Sequence, residues 1–394
     1  MKILITGAKG FMGRNLCAAF EEIRLGHDRR PDHIIPDLQV YEYDIQNTAE
    51  ELDAFCADCD FVLNLAGVNR PKDPAEFMAG NFGFASQLLD TLKKYGNRCP
   101  VMLSSSIQAS LTGRYAGSEY GLSKKAGEDL FFEYGRETGA DVLVYRFPNA
   151  FGKWSRPNYN SAVTTFCHNT ANGLPIQVND PSVDMCLVYI DDIVEEMIQA
   201  VRGNANRLAD GYCKVPVEHE CTLGWIADTI TSFAGLNRDL AVPDLADPLT
   251  AKLYATYLSY LPSDGLSYSL NIKSDDRGSF TEVIRTLDRG QFSVNVLHPG
   301  QTKGKHWHNT KSEKFLVVSG EALIKLRRIG TDPDDRTFPV IEYYVSGDDP
   351  KVVQIIPGYT HSITNLSDSH DLVTFMWASE SFDPAKPDTF SQEV

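Results

Sequence analysis

Two groups of residues in this chain have types and spacings suited to chemistry. Toward one end, Gly300, His306, His308, Glu313, Gly320 and His361 recur at a spacing that chance rarely supplies. His306 and His308 have one residue between them, and side chains alternate faces along a strand, so both imidazoles lie on the same side. A carboxylate a few residues on and a third imidazole on a distant strand can then converge on one cation. Three imidazoles and one carboxylate make a borderline N/O donor set, suited to zinc, iron, nickel or manganese. A divalent metal, zinc foremost, is the expected occupant; the other reading keeps these residues as barrel-filling hydrogen-bond partners.

At the other end, Thr6-Gly7-Ala8-Lys9-Gly10-Phe11-Met12-Gly13 places three glycines between a first strand and the start of a helix. Glycine permits the tight turn and lets the backbone approach a pyrophosphate, whose charge sits at the helix N-terminus. Thr6, Gly7, Lys9, Gly10, Phe11, Met12 and Gly13 are therefore expected to hold a dinucleotide. Further on, Tyr120 and Lys124 are four residues apart, hence on one face of a helix. With 17 Tyr in the chain, about one such pair arises by accident, so position gives this one its weight. Upstream, a strand ends in Leu103-Ser104-Ser105-Ser106 and can present a hydroxyl to the same space. The grouping suits hydride chemistry: Lys124 lowers the phenol pKa, Tyr120 passes a proton to or from a carbonyl oxygen, and a serine orients that oxygen.

The elements that position these residues can be read from periodicity. At 394 residues the chain is long enough for two domains. Lys2 to Thr6, Val40 to Tyr43, Phe61 to Leu65, Val101 to Ser104 and Val142 to Tyr145 read as strands. Gly13 to Ile23 and Ala49 to Cys56 read as helices between them, the pattern of a parallel sheet with helices on both faces. From Ser279 onward, short β-rich segments punctuated by Gly, Pro and Asp point to a small antiparallel barrel. The expected division is a nucleotide-binding domain over 1–245, a linker over 246–265 and a barrel over 266–394.

Composition is ordinary for a globular protein, 42% hydrophobic and 23% charged, with a net charge of −16. That charge repels nucleic-acid backbones and argues against such partners. No apolar run approaches a membrane span, and MKILITGAKG begins a strand directly, so a cytoplasmic address is expected. All 8 cysteines precede the His/Glu cluster. Cys56 and Cys59 form a CxxC on a helix with no second pair to complete a zinc site, which fits thiols in a reducing compartment.

The first half resembles the extended short-chain dehydrogenase/reductase family in TGAKGFMG, the serine triplet, YGLSK, Leu63-Asn64-Leu65-Ala66-Gly67, YRFPNAFG and Tyr189-Ile190-Asp191-Asp192. The resemblance implies an α/β Rossmann domain in which Ser106 (Ser105 second), Tyr120 and Lys124 are catalytic. It also implies that Leu65, Ala66, Gly67 and the Phe147-Pro148 bend lie beside the cofactor, with Arg146 and Asn149 toward the sugar nucleotide. A loop-bracing network is the competing role for Arg146, Asn149 and Asp191. The second strand's end, which normally carries the residue selecting NADH or NADPH, is hard to find between Gly26 and Gln39. Arg29 and Arg30 are candidates for a 2′-phosphate, or simply surface residues; Asp32 or Asp44 are candidates for a ribose.

Gly300 to Gly320 and Pro357-Gly358-Tyr359-Thr360-His361 with Asn365 resemble the two cupin motifs, implying a jelly-roll barrel with His306, His308, Glu313 and His361 as ligands. Asp276-Arg277-Gly278-Ser279-Phe280-Thr281-Glu282 with Lys303-Gly304-Lys305-His306 is similar instead to the nucleotide-sugar 3,5-epimerases, which would make His306 a base. Across almost the whole chain, LAGVNRP, LSSSIQAS, FGKWSRPNYNS, YATYLSYLPSDG, DDRGSFTE and EKFLVVSG resemble the bifunctional capsular polysaccharide enzymes that make UDP-2-acetamido-2,6-dideoxy-β-L-talose. That resemblance implies C3 inversion of a UDP-4-keto-6-deoxy-2-acetamido-hexose by the cupin, then C4 reduction with NADPH, in a homodimer. The alternatives are a 4-ketosugar reductase with a purely structural cupin, or a redox or ligand sensor.

Overall fold

The computed structural model describes residues 1–286 and 290–394. Five parallel strands, β1 (Lys2–Thr6), β2 (Gln39–Tyr43), β3 (Phe61–Asn64), β4 (Val101–Ser106) and β5 (Val142–Phe147), form a sheet in the order β2-β1-β3-β4-β5. Parallel neighbours need crossover connections. These are supplied by α1 (Phe11–Arg24), α2 (Ala49–Asp58), a helical stretch running from α3 (Ala75–Phe77) through Met78–Gly83 into α4 (Phe84–Lys94), and α5 (Glu119–Thr138). Alternation along β1 explains the two layers. Ile3 and Ile5 pack with Leu16 and Phe20 of α1, whereas Leu4 packs with Leu52 of α2, Leu88 of α4 and Phe131 of α5. Each such buried side chain contributes about 1.5–3 kcal/mol.

Local chemistry sets the helix ends. Thr48 and Glu51 form a reciprocal capping box at the start of α2. Ser118 starts α5 by accepting the Gly121 N–H at 3.0 Å, and Gly139, with φ 75°, ends it. Beyond β5, a small sheet of β6 (Asn149–Phe151), β7 (Asp184–Tyr189) and β8 (His219–Thr222) is accompanied by α6 (Ala162–Ala171), α7 (Ile190–Val201), α8 (Leu223–Ser232) and α9 (Pro248–Leu258).

From here the chain is antiparallel β. One sheet has the order β16-β13-β18-β11-β10-β9 and the other β15-β14-β17-β12-β19. Their strands are β9 (Ile272–Asp275), β10 (Gly278–Thr286), β11 (Gly290–Leu297), β12 (Thr302–Trp307), β13 (Glu313–Ser319), β14 (Glu321–Arg328), β15 (Ile341–Ser346), β16 (Val352–Ile355), β17 (Tyr359–Asn365), β18 (Leu372–Ala378) and β19 (Phe390–Ser391). Leu297, Phe315, Ile324, Ile355, Ile363 and Leu372, drawn from both sheets, fill one core. Two antiparallel sheets sharing a core are consistent with a cupin-like barrel.

The two compact units are Met1–Phe233 with Ala246–Pro262, and Ala234–Leu245 with Ser263–Val394. The seam therefore differs from the expected linker over 246–265. Most of that stretch is α9, whose Leu253 is fully buried and whose Lys252 pairs with Asp192 at 2.7 Å. The prolines there mark helix N1 and an exit turn rather than a flexible connection. Among the described residues, no helix is long and apolar enough to cross a membrane.

Candidate active site and metal centre

The turn after β1 is shaped by glycine. Gly7 has φ 70°, and a Cβ there would lie 2.8 Å from the Ala66 nitrogen. A Cβ on Gly13 would lie 2.2 Å from the Gly7 carbonyl oxygen. The turn thus folds against the end of β3 and α1 starts in contact with it, which only glycine allows. Gly10 caps α1 without a side-chain hydrogen bond, so the first N–H groups of the helix face outward for an anion. The Leu65 N–H donates to the Thr6 carbonyl at 3.1 Å, and Thr6 Oγ1 donates to Asn64 Oδ1 at 2.6 Å. Leu65, Ala66 and Gly67 accordingly run beside the turn. Asp44 follows β2 directly and accepts the Lys9 N–H at 2.7 Å, while the Lys9 ammonium hydrogen-bonds Gln46.

Arg29 does not share this place. The 14 residues of α1 run back along the sheet, carrying the chain about 21 Å from the turn at 1.5 Å per residue. Arg29 Nε donates to the Gly26 carbonyl at 3.2 Å, and Arg30 pairs with Asp28 at 2.7 Å and Glu195 at 3.2 Å. The Asp32 carbonyl is held by Gln199 and Arg202. All three sit at the far end of the helix, which corrects the expectation that Arg29 or Arg30 meets a 2′-phosphate and removes Asp32 as a ribose partner.

At the end of β4, successive serines face opposite ways. Ser105 donates to Glu128 at 2.6 Å and is fully engaged inside, whereas the Ser106 hydroxyl accepts the Gln108 N–H at 3.2 Å and is near enough to the Tyr120 phenol to lower its pKa. Gly121 makes this approach possible: a Cβ there would lie 2.4 Å from the Gln108 carbonyl, so α5 closes on the turn that follows β4. Lys124, one helical turn on, donates to the Ser104 carbonyl at 2.9 Å with its ammonium 5.8 Å from the Tyr120 ring centre. Burial pushes the Tyr120 phenol up to about 12, only partly offset by Ser106. Burial holds the Lys124 ammonium down to about 8, opposed by Glu128. The lowering of the phenol expected from Lys124 is thus not expressed here; desolvation outweighs it.

Arg146 and Asn149 brace the fold. Arg146 donates from Nε and Nη2 to Glu128 at 2.8 and 2.6 Å and from Nη2 to the Tyr212 hydroxyl at 2.7 Å. The Asn149 amide donates to the Cys186 carbonyl at 3.0 Å, tying β6 to β7. Both side chains are thus engaged in the network that was the competing role for them, and Arg146 also lines a recess. Asp191 likewise pairs with Lys153. Pro148 lines a recess with Phe147 and Tyr212. Sequence reasoning missed Glu128, Tyr212 and Asn81. Glu128 follows Tyr120 and Lys124 at the same four-residue interval, which was a usable signal. Asn81, which accepts the Val68 N–H at 2.9 Å and donates to Ser123 at 2.9 Å, had none.

In the barrel, β12 and β17 bring two imidazoles together, His306 standing opposite His361. A bulge at Lys305, with φ 58°, shifts the register just before His306. His308 follows β12 and Glu313 begins β13. The four donor atoms lie within 4.8 Å of one another. His308 Nε2 and His361 Nε2 are 3.4 and 3.3 Å from Glu313 Oε2. All three of these atoms are buried without a hydrogen-bond partner. Burial lowers His306 to about 4, leaving it neutral. Burial opposes ionisation of Glu313, but the facing imidazoles of His308 and His361 outweigh it and hold the carboxyl well below the usual range. Imidazole nitrogens and a carboxylate oxygen that converge, buried and without hydrogen-bond partners, fit a divalent cation. A second grouping, Asp32, His33 and Glu195, is different: both His33 nitrogens are engaged, with Asp28 at 2.8 Å and Glu195 at 2.8 Å. The eight cysteines are free thiols.

The glycine turn, the parallel sheet and the Ser106–Tyr120–Lys124 grouping define a Rossmann-type domain of the short-chain dehydrogenase/reductase class, here joined to an all-β domain. The chain belongs to the NAD dependent epimerase/dehydratase family, whose model matches residues 3–210. Residues 273–390 match the polysaccharide biosynthesis C-terminal domain. The chain is 40% identical over 394 residues to the UDP-2-acetamido-2,6-beta-L-arabino-hexul-4-ose reductase of Pseudomonas aeruginosa, covering 100% of this chain and 99% of that one. The crystal structure of the capsular polysaccharide assembling protein CapF from Staphylococcus aureus superposes with a TM-score of 0.87 at 46% identity, covering 100% of both chains. UDP-glucuronate 4-epimerase 3 of Arabidopsis thaliana is 28% identical over 236 residues, 50% of this chain and 54% of that protein. The chain is CapF-like in both of its domains.

Proposed function

We propose that this chain is a cytoplasmic, homodimeric nucleotide-sugar enzyme of capsule biosynthesis. Its substrate would be a UDP-4-keto-6-deoxy-2-acetamido-hexose, inverted at C3 in the β domain and reduced at C4 in the Rossmann domain to UDP-2-acetamido-2,6-dideoxy-β-L-talose. The order follows from carbonyl chemistry. A C4 ketone acidifies the neighbouring C3–H bond, and once the ketone is reduced that acidity is gone.

NADPH, bound over the Gly7–Gly13 turn, would supply the hydride. The chain's own part is to donate a hydrogen bond from Ser106 to the C4 oxygen, deliver the Tyr120 proton to it, and hold a positive charge at Lys124 beside the phenol. Lys9, adjoining Asp44, is the cation we assign to the 2′-phosphate. His306, His308, Glu313 and His361 would hold a divalent metal, zinc foremost, supplying either Lewis-acid polarisation of the 4-keto oxygen or a clamp on the barrel mouth.

The observation that carries the reading is Ser106 facing Tyr120 beside the glycine turn, in a chain 40% identical along its length to a 4-ketosugar-nucleotide reductase. A sensor has no need of a proton donor there. Purified protein given the UDP-4-ketosugar should oxidise NADPH, and the Tyr120→Phe variant should not; equal turnover by that variant would return the chain to the binding-module class.

A further inference from the structure

The end of the chain returns to the loop that joins two of the metal-site residues. The consecutive N–H groups of Asn309, Thr310 and Lys311 converge on the Asp388 carboxylate at 2.8, 2.8 and 3.0 Å, and the Thr310 hydroxyl adds a contact at 3.2 Å. The Asp388 carbonyl pairs with His308 Nδ1. A carbonyl can only accept, so Nδ1 carries the proton and the Nε2 lone pair faces the cluster. Nε2 is buried and has no other partner.

The residues after Asp388 contact the strands that carry His306 and His361. Ser391 stands opposite His306 in the β12–β19 pair, and the Phe390 ring stacks on Trp307 at 4.8 Å. The Gln392 N–H donates to the Lys305 carbonyl at 2.9 Å, and Thr360, next to His361, donates to the Gln392 carbonyl at 2.6 Å. One short strap therefore touches the strand or loop carrying each of the four cluster residues.

We propose that Asp388 is a positioning residue for the metal centre: its carbonyl sets the His308 tautomer while its carboxylate fixes the loop from His308 to Glu313. The proposal rests on reading His306, His308, Glu313 and His361 as metal ligands. Removing an orienting partner of a ligand typically weakens metal binding by about 10–100-fold.

The test uses the full chain stripped of metal, titrated with Co(II) by its visible absorption and with Zn(II) against a chromophoric chelator. Wild type should bind a single ion, and His308→Ala should lose it. Asp388→Asn and Asp388→Ala should bind about 10–100-fold more weakly with an altered Co(II) band. The near-isosteric Asn variant carries the test if the Ala variant melts early. Variants that match wild type in affinity and band overturn the strap proposal and leave the metal reading standing. Wild type that binds neither ion, or a His308→Ala variant that binds normally, overturns the metal reading and the proposal with it.

Discussion

Arg146 grips Glu128 through two parallel hydrogen bonds of 2.8 and 2.6 Å, and the Glu128 side chain is completely buried. The same carboxylate accepts Ser105 at 2.6 Å and Tyr212 at 2.9 Å. One consequence concerns catalysis: with Ser105 taken, Ser106 is the serine left facing Tyr120. The other concerns stability. Removing one partner of a buried pair strands the other charge and costs about 3–5 kcal/mol. Glu128→Gln should therefore lower the unfolding midpoint by on the order of 10 °C for a domain of this size. Arg146→Lys should do so more mildly, with little change in KM for the sugar nucleotide. A KM increase without a stability loss would return Arg146 to the substrate.

The pH profile should carry the signature of burial. Lys124 is held down to about 8 by desolvation, while Tyr120 keeps its proton up to about 12. Reduction needs the phenolic proton and gains from the ammonium charge. kcat/KM, which reports the free enzyme, should hold below about pH 8 and fall above it. Lys124→Arg, charged throughout, should be slower but should lose that alkaline limb. The linkage sign agrees: Lys124 titrates lower folded than unfolded, so the unfolded chain binds more protons between about 8 and 10.5. Stability from this group should rise with pH through that window. Tyr120→Phe should lose about 10²–10⁴-fold in turnover while keeping its fold.

Cofactor choice should track Lys9, whose N–H is held by Asp44 just beyond the end of β2. Lys9→Ala should lower the ratio of kcat/KM for NADPH over NADH by about tenfold, the scale of a hydrogen bond to a charged group. Arg29→Ala should leave the ratio unchanged, because α1 carries Arg29 to its far end. A ratio that responds to Arg29 and ignores Lys9 would refute the assignment.

His306 separates the two likenesses of the barrel. A neutral imidazole can give its lone pair to a cation or to a proton, and a coordinated nitrogen cannot do both. His306→Gln should lower metal content measured by mass spectrometry, as His361→Ala should. Full metal content together with lost hydrogen exchange at C3 would make His306 the base instead.

How far the sequence revealed this molecule depended on where each side chain's partner came from. Gly7 and Gly13 were legible because their constraint is steric and local. Tyr120 and Lys124 were legible because helical spacing puts them on one face. His306, His308, Glu313 and His361 were legible because residues of one chemical type recur at strand spacing. The partners of Arg146 and Asn149 were not legible because the groups that hold them, Glu128, Tyr212 and Cys186, arrive from separate elements. Arg29 was misplaced because the strand that leads to Asp44 begins only at Gln39. Asp388 went unnoticed because its partners, Asn309 to Lys311, lie nearly eighty residues earlier.

The central claim is that one ketone serves both domains, and product NMR in deuterated buffer tests it most directly. Incubating the protein with UDP-4-ketosugar and NADPH should give the talo product with deuterium at C3 and protium, from the nicotinamide, at C4. A reduced product without deuterium at C3 would contradict the epimerase half, and deuterium at C3 with the ketone intact would contradict the reductase half.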